Sequence, residues 1–152
     1  MADLSARAIS VLASVDAIAA EDTRHSARLL DEHKIATPRI AYHDFNETAA
    51  SEKLLQRIAS GESIALISDA GTPLIADPGY RIVQGAHQQG IKVVPVPGAS
   101  ALVAALSSAG LATDEFFFTG FLPAKRHARL ERLAKLSTWV HGSMLRDTPS
   151  GP

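Results

Sequence analysis

Two short stretches concentrate the reactive residue types of this chain. One is Ser68-Asp69-Ala70-Gly71-Thr72-Pro73, directly after the apolar run Ile64-Ala-Leu-Ile67, with a further turn at Asp77-Pro78-Gly79. The other is Glu21-Asp22-Thr23-Arg24, directly after Asp16-Ala-Ile-Ala-Ala20. Open α/β sheets hold ligands in loops leaving the carboxyl ends of parallel strands. Glycine lets backbone approach a ligand closely, and Asp, Ser and Thr supply donors and acceptors. An ordinary polar strand-to-helix turn uses the same residue types. Two acidic turns, two glycines and two prolines between Ser68 and Gly79 are dense for such a turn. Glu21 and Asp22 end an apolar run, so they face the same crevice if that run is a strand. Asp22 can equally cap the helix that follows it.

The elements that must position these residues alternate. Apolar spacing predicts helices over 5–13, 23–33, 46–60, 80–89, 100–109 and 125–136. Asn46 is a candidate cap, and Gly61, Gly90 and Gly110 are helix stops. Short apolar runs predict strands over 16–20, 39–42, 64–67, 92–96 and 115–119. Strands alternating with helices imply an α/β fold, a three-layer arrangement around a mainly parallel sheet. The runs are continuously apolar, as in a sheet covered on both faces.

Composition narrows the function classes. The chain has 152 residues, 46% of them hydrophobic, enough for one domain with a core. Fifteen Lys+Arg balance sixteen Asp+Glu, so overall charge does not point to nucleic acid, although a local basic patch can exist. There is no cysteine, hence no disulfide, thiolate metal site or cysteine nucleophile. No apolar run approaches the roughly 18 residues of a membrane span. Met1-Ala-Asp-Leu-Ser5 is not a basic-then-apolar leader, and a cytoplasmic protein is expected. His43, Asp44 and Glu47 are metal-ligand types, but they sit in one local loop without usual ligand geometry, and no metal is assigned. Lys125, Arg126, His127, Arg129, Arg132 and Lys135 make the last helix basic. It can contact phosphate, or it can be a solvated amphipathic helix with Leu130, Leu133 and Leu136 inward.

Four segments together resemble a known family. They are Ala20-Glu-Asp-Thr-Arg-His25, Leu66-Ile-Ser-Asp-Ala-Gly-Thr-Pro-Leu-Ile-Ala-Asp-Pro-Gly-Tyr80, Val96-Pro-Gly-Ala-Ser-Ala101 and Phe118-Thr-Gly-Phe-Leu-Pro123. In order and spacing they resemble the amino-terminal domain of the tetrapyrrole methylase superfamily. Within it, the resemblance is to the branch that 2'-O-methylates a cytidine of 16S ribosomal RNA. It implies an S-adenosylmethionine-dependent methyltransferase whose cofactor lies between two α/β domains. Ser68, Asp69, Ala70, Gly71 and Thr72 then correspond to the cofactor loop, and Ser100 and Ala101 to a second cofactor contact. Adenosylmethionine offers a carboxylate, an ammonium, a ribose and an adenine but no phosphate, which suits such a loop better than a lysine-bearing P-loop. A helix N-terminus at Ser100 favours the carboxylate.

The resemblance also makes Glu21 and Asp22 candidate general bases for a ribose hydroxyl. Arg24 can pair with them or meet an RNA phosphate. Small-subunit ribosomal RNA is the implied partner, no membrane is involved, and a homodimer is expected. The family opens with a strand and a Thr-Pro-Ile-Gly-Asn loop, so residues 1–138 are expected to form a domain lacking its first strand. Residues 139–152 are expected to be an unrelated or disordered tail. A non-catalytic remnant or assembly module is the alternative class, and tetrapyrrole methylation a weaker one.

Overall fold

Ala17–Ala20 (β1) is wholly buried and forms the middle of a three-stranded parallel sheet. The computed structural model describes residues 3–43, 47–69 and 71–144, with side chains as far as residue 138. Arg39–Ala41 (β2) pairs with β1 on one side, Ala19 opposite Ile40. Ile64–Ile67 (β3) pairs on the other, Ala20 opposite Ile67. Helices Ala6–Ser14 (α1), Thr23–Glu32 (α2), Glu47–Ala59 (α3), Tyr80–Gln88 (α4) and Ala101–Ser108 (α5) complete the unit Met1–Glu115. The unit Phe116–Pro152 carries Arg126–Met144 (α6).

Side chains alternate across a strand, and both faces of this sheet are covered. Ile18, Ala65 and Ile67 meet Leu12 of α1 and Leu30 of α2. Ala19, Ile40, Ile64 and Leu66 meet Leu54 and Leu55 of α3 and Ile82 and Ala86 of α4. These are the three layers of the expected α/β fold. Ser5 begins α1 by accepting a hydrogen bond from the Ala8 N–H (3.1 Å).

Two expected strands are absent among the described residues. Residues 92–96 form no ladder, and Val93 and Val94 are 39% and 52% exposed. No described strand pairs with β3 on its far side, and Pro95 has no N–H to donate. Residues 115–119 likewise form no strand, and Phe116, Phe117 and Phe118 are exposed. The unit Phe116–Pro152, which holds all of this run but Glu115, contains no sheet among its described residues, and an apolar run cannot be a strand without one. The last helix runs beyond the expected residue 136 to Met144, since no Gly or Pro interrupts it before Gly142. Leu130 and Leu133 are exposed rather than inward. The candidate cap Asn46 lies outside the described residues.

Candidate functional site

Parallel pairing brings the two reactive stretches to one sheet edge. Ala20 and Ile67 are register partners, so Glu21-Asp22 and Ser68-Asp69 leave neighbouring strands side by side. The Asp22 N–H donates to Asp69 Oδ1 (3.2 Å), tying the two loops together. Asp22 Oδ1 accepts from the N–H groups of Arg24 (2.8 Å) and His25 (3.3 Å) and so caps α2. Those hydrogen bonds favour the charged form and hold the Asp22 carboxyl below the usual range. Arg24 Nε lies 3.6 Å from the same oxygen, but its side chain is 91% exposed. Glu21 is half-buried at the same edge.

A cleft of about 260 Å³ opens beside β3. Ser68, Asp69, Gly71 and Thr72 line one wall, Val96-Pro97-Gly98 another, and Ala8 and Val11 of α1 a third. The Ser5 hydroxyl donates to the Pro97 carbonyl (3.3 Å), holding the start of α1 against that segment. Ser68 Oγ is shielded and finds no hydrogen-bond partner among the described residues. Such a hydroxyl is under-satisfied by the protein and suits a polar ligand atom. Ala70 lies outside the described residues.

The loop after β3 is held in an unusual shape. Gly71 and Gly79 have φ of 101° and 133°, and the non-glycine residues Leu74 and Ala76 have φ of 71° and 61°. Left-handed backbone at non-glycine residues persists only where surroundings impose it, and it clusters at functional sites. Within the loop, Leu74 N–H donates to the Pro78 carbonyl (3.3 Å) and Ile75 N–H to the Thr72 carbonyl (3.2 Å).

Ser100 caps α5 by accepting from the Val103 N–H (3.5 Å). The segment before it lines the cleft, but Ser100 and Ala101 are not among the lining residues. Val96-Pro97-Gly98 belongs to a segment that carries the family resemblance, but the sequence reading put the cofactor contact further on, at Ser100 and Ala101, and put Val96 at the end of a strand. That reading missed Glu47, which bonds to the far end of the same loop. Glu47 Oε1 accepts from Gly79 N–H (3.2 Å), Arg81 N–H (3.3 Å) and the Tyr42 hydroxyl (3.2 Å). Glu47, one of the three residues weighed as metal ligands, is thus engaged with protein donors, and Asp44 lies outside the described residues. No group of three or more His, Cys, Asp or Glu with metal-binding geometry occurs among the described residues.

Within Phe116–Pro152, Arg132 and Lys135 of α6 line a shallow cleft with Phe117 and Leu136. His127 Nε2 lies 3.3 Å from Glu131 Oε1. No described helix is long and apolar enough to cross a membrane.

Comparison with known proteins places nearly the whole chain in a family. The family of tetrapyrrole (corrin/porphyrin) methylases matches residues 1–146. Ribosomal RNA small subunit methyltransferase I of Vibrio cholerae is 52% identical over 149 residues, which cover 98% of this chain and 52% of that protein. The protein of the same name from Pseudomonas aeruginosa is 55% identical over 131 residues, 86% of this chain and 46% of its own length. That of Synechocystis is 46% identical over 149 residues, 98% of this chain and 53% of its own length. The chain spans about half the length of the curated relatives it matches. A family match over nearly its full length, with relatives at this level of identity, means that the chain belongs to the tetrapyrrole methylase family.

Proposed function

We propose that this chain is the cofactor-binding part of an S-adenosylmethionine-dependent methyltransferase that acts on small-subunit ribosomal RNA, at the 2'-hydroxyl of a cytidine. The observation that carries it is the cleft beside β3, walled by Ser68, Asp69, Gly71 and Thr72 on one side and Val96-Pro97-Gly98 on another. The shared name of the relatives favours ribosomal RNA over a tetrapyrrole as substrate.

The donor set fits adenosylmethionine. Asp69 offers a carboxylate to an ammonium or a ribose, and Ser68 and Thr72 offer hydroxyls. The apolar side chains of Ala8, Val11 and Val96 offer a dry surface to the adenine. When bound, the cofactor supplies an electrophilic methyl on a sulfonium. Asp22 anchors α2 and the Asp69 loop, its carboxylate already engaged by the N–H groups of Arg24 and His25. Glu21, beside it, takes the proton from the attacking ribose hydroxyl. Ser100 and Ala101 hold the far end of the 96–98 wall by starting α5. Arg24, extended into solvent, is available to an RNA phosphate.

Calorimetric titration of the chain with adenosylmethionine tests the reading. A Kd of about 0.1–1 mM is expected, because exposed Asp69, Gly71 and Thr72 leave much of the ligand in water. Gly71→Val should abolish the heat, since the φ of 101° suits glycine and a β-branched side chain would crowd the approach. Glu21→Gln should bind normally and fail to methylate a 16S ribosomal RNA fragment. No heat from the parent chain at millimolar cofactor would refute the proposal.

The far edge of β3 and the exposed Val93 and Val94 also support self-association as a homodimer. Light scattering should show a mass near twice 16.1 kDa at high concentration. A monomer throughout would exclude it.

A further inference from the structure

We propose that Glu47 is the positioning residue of the cleft loop, its carboxylate pinning the end of the 71–79 segment to α3 and thereby fixing the shape in which Gly71 and Thr72 face the cleft. The inference rests on the cofactor reading above for its functional meaning, but the anchoring itself is independent of it.

The geometry is specific. Glu47 opens α3 and its side chain is only 16% exposed. One oxygen accepts from the N–H groups of Gly79 and Arg81, at the first turn of α4. Those amides have no partner within the helix, and the dipole there favours an anion. The other oxygen lies 3.6 Å from Arg81 Nε. From the end of β2, the Tyr42 hydroxyl donates to Glu47 and also bonds Ser51 of α3 at 3.0 Å. One carboxylate therefore joins α3, α4 and the segment after β2.

The position matters because of what precedes Gly79. Four residues of the loop, Gly71, Leu74, Ala76 and Gly79, have positive φ. The internal bonds from Leu74 to Pro78 and from Ile75 to Thr72 shape the middle of the loop, and such backbone persists only where the surroundings also fix its ends. β3 holds one end at Ser68, and Glu47 holds the other.

Among the described residues, Tyr42 and Arg81 are the titratable groups that act on Glu47. Burial opposes its ionisation, but the N–H bonds from Gly79 and Arg81, the Tyr42 hydroxyl and the Arg81 charge outweigh this and hold its carboxyl below the usual range. Burial pushes the Tyr42 hydroxyl up, so Tyr42 stays a donor throughout the working range. The anchor is thus complete above the ordinary glutamate pKa and is lost as pH falls through the depressed one.

The test is NMR on the full chain, comparing the parent with Glu47→Gln, which keeps size and an acceptor but loses the charge. In the parent, the Gly79 and Arg81 amide signals should follow one acidic titration. In Glu47→Gln that titration should vanish, and exchange of these two amides should quicken about tenfold, the difference between a charged and a neutral acceptor. Glu47→Asp, one methylene short, should restore the titration only in part. Parent amides that do not titrate, or unchanged exchange in Glu47→Gln, would overturn the proposal, whatever the melting temperature does. Adenosylmethionine is added in a separate arm. If it shifts Gly71 and Thr72 in the parent, Glu47→Gln should weaken its binding several-fold, and equal affinity would overturn the positioning role. If it shifts nothing in the parent, the cofactor reading fails, and the amide data alone decide the anchor.

Discussion

Gly79→Val should destabilise the chain by about 2–6 kcal/mol, from backbone strain of about 1–3 kcal/mol and overpacking of similar size. Gly79 has a φ of 133°, where a β-branched residue is a genuine outlier. A Cβ built there would sit 2.8 Å from both Leu66 Cδ2 and Leu74 Cδ1. Leu74 is partly exposed and can swing away, but Leu66 packs into the core under α3 and α4. Relief must therefore come from the loop itself, which would draw Gly79 N–H away from Glu47 and alter the cleft. Urea unfolding measures the first effect and cofactor titration the second. By contrast, Gly61→Ala meets no neighbouring atom within 4 Å, so it reports the cost of positive φ alone. If Gly79→Val unfolds within about 0.5 kcal/mol of the parent, as an unremarkable surface change would, the close approach described here is wrong.

Leu54→Ala is expected to cost about 2–5 kcal/mol, as for other buried leucines whose sites cannot collapse. Leu54 is 1% exposed and belongs to the cluster with Ala19, Tyr42, Leu55, Ile82 and Ala86. That cluster fastens α3 and α4 to the sheet. The loss should therefore reach the site, because α3 carries Glu47 and α4 carries its amide partners. Leu111→Ala is the control: Leu111 is 76% exposed, and its truncation should fall within about 0.5 kcal/mol. Equal unfolding midpoints for the two variants would show that the cluster is not the core of this unit.

Much of this architecture could be read in the chain itself. The β3 run was legible to the residue, because four successive apolar residues between a polar stretch and a Ser-Asp turn have few other uses. Helix boundaries fell within a residue or so for α1 to α5, since caps such as Ser5, Asp22 and Ser100 act on amides two or three positions away. The loop from Ser68 to Thr72 stood out for its glycine and hydroxyls, and the family resemblance attached a cofactor to it. These signals are local, and local sterics and short-range hydrogen bonds are encoded by neighbours in the chain.

What failed was non-local. Residues 92–96 and 115–119 have strand-like composition, yet a strand exists only when another strand accepts its N–H groups, and none does so among the described residues. Composition cannot announce a missing partner. The role of Glu47 was invisible for the same reason, since its amide partners at Gly79 and Arg81 lie 32 and 34 residues away. Asp22 could have been a cap or a base by its type and place, and both of its amide donors come from the first turn of α2. The sequence by itself determined the helices, the central parallel strands and the chemical character of the loop. Only the tertiary structure decided which apolar runs found partners and which carboxylate holds the loop, because both depend on groups brought together by folding across long stretches of chain.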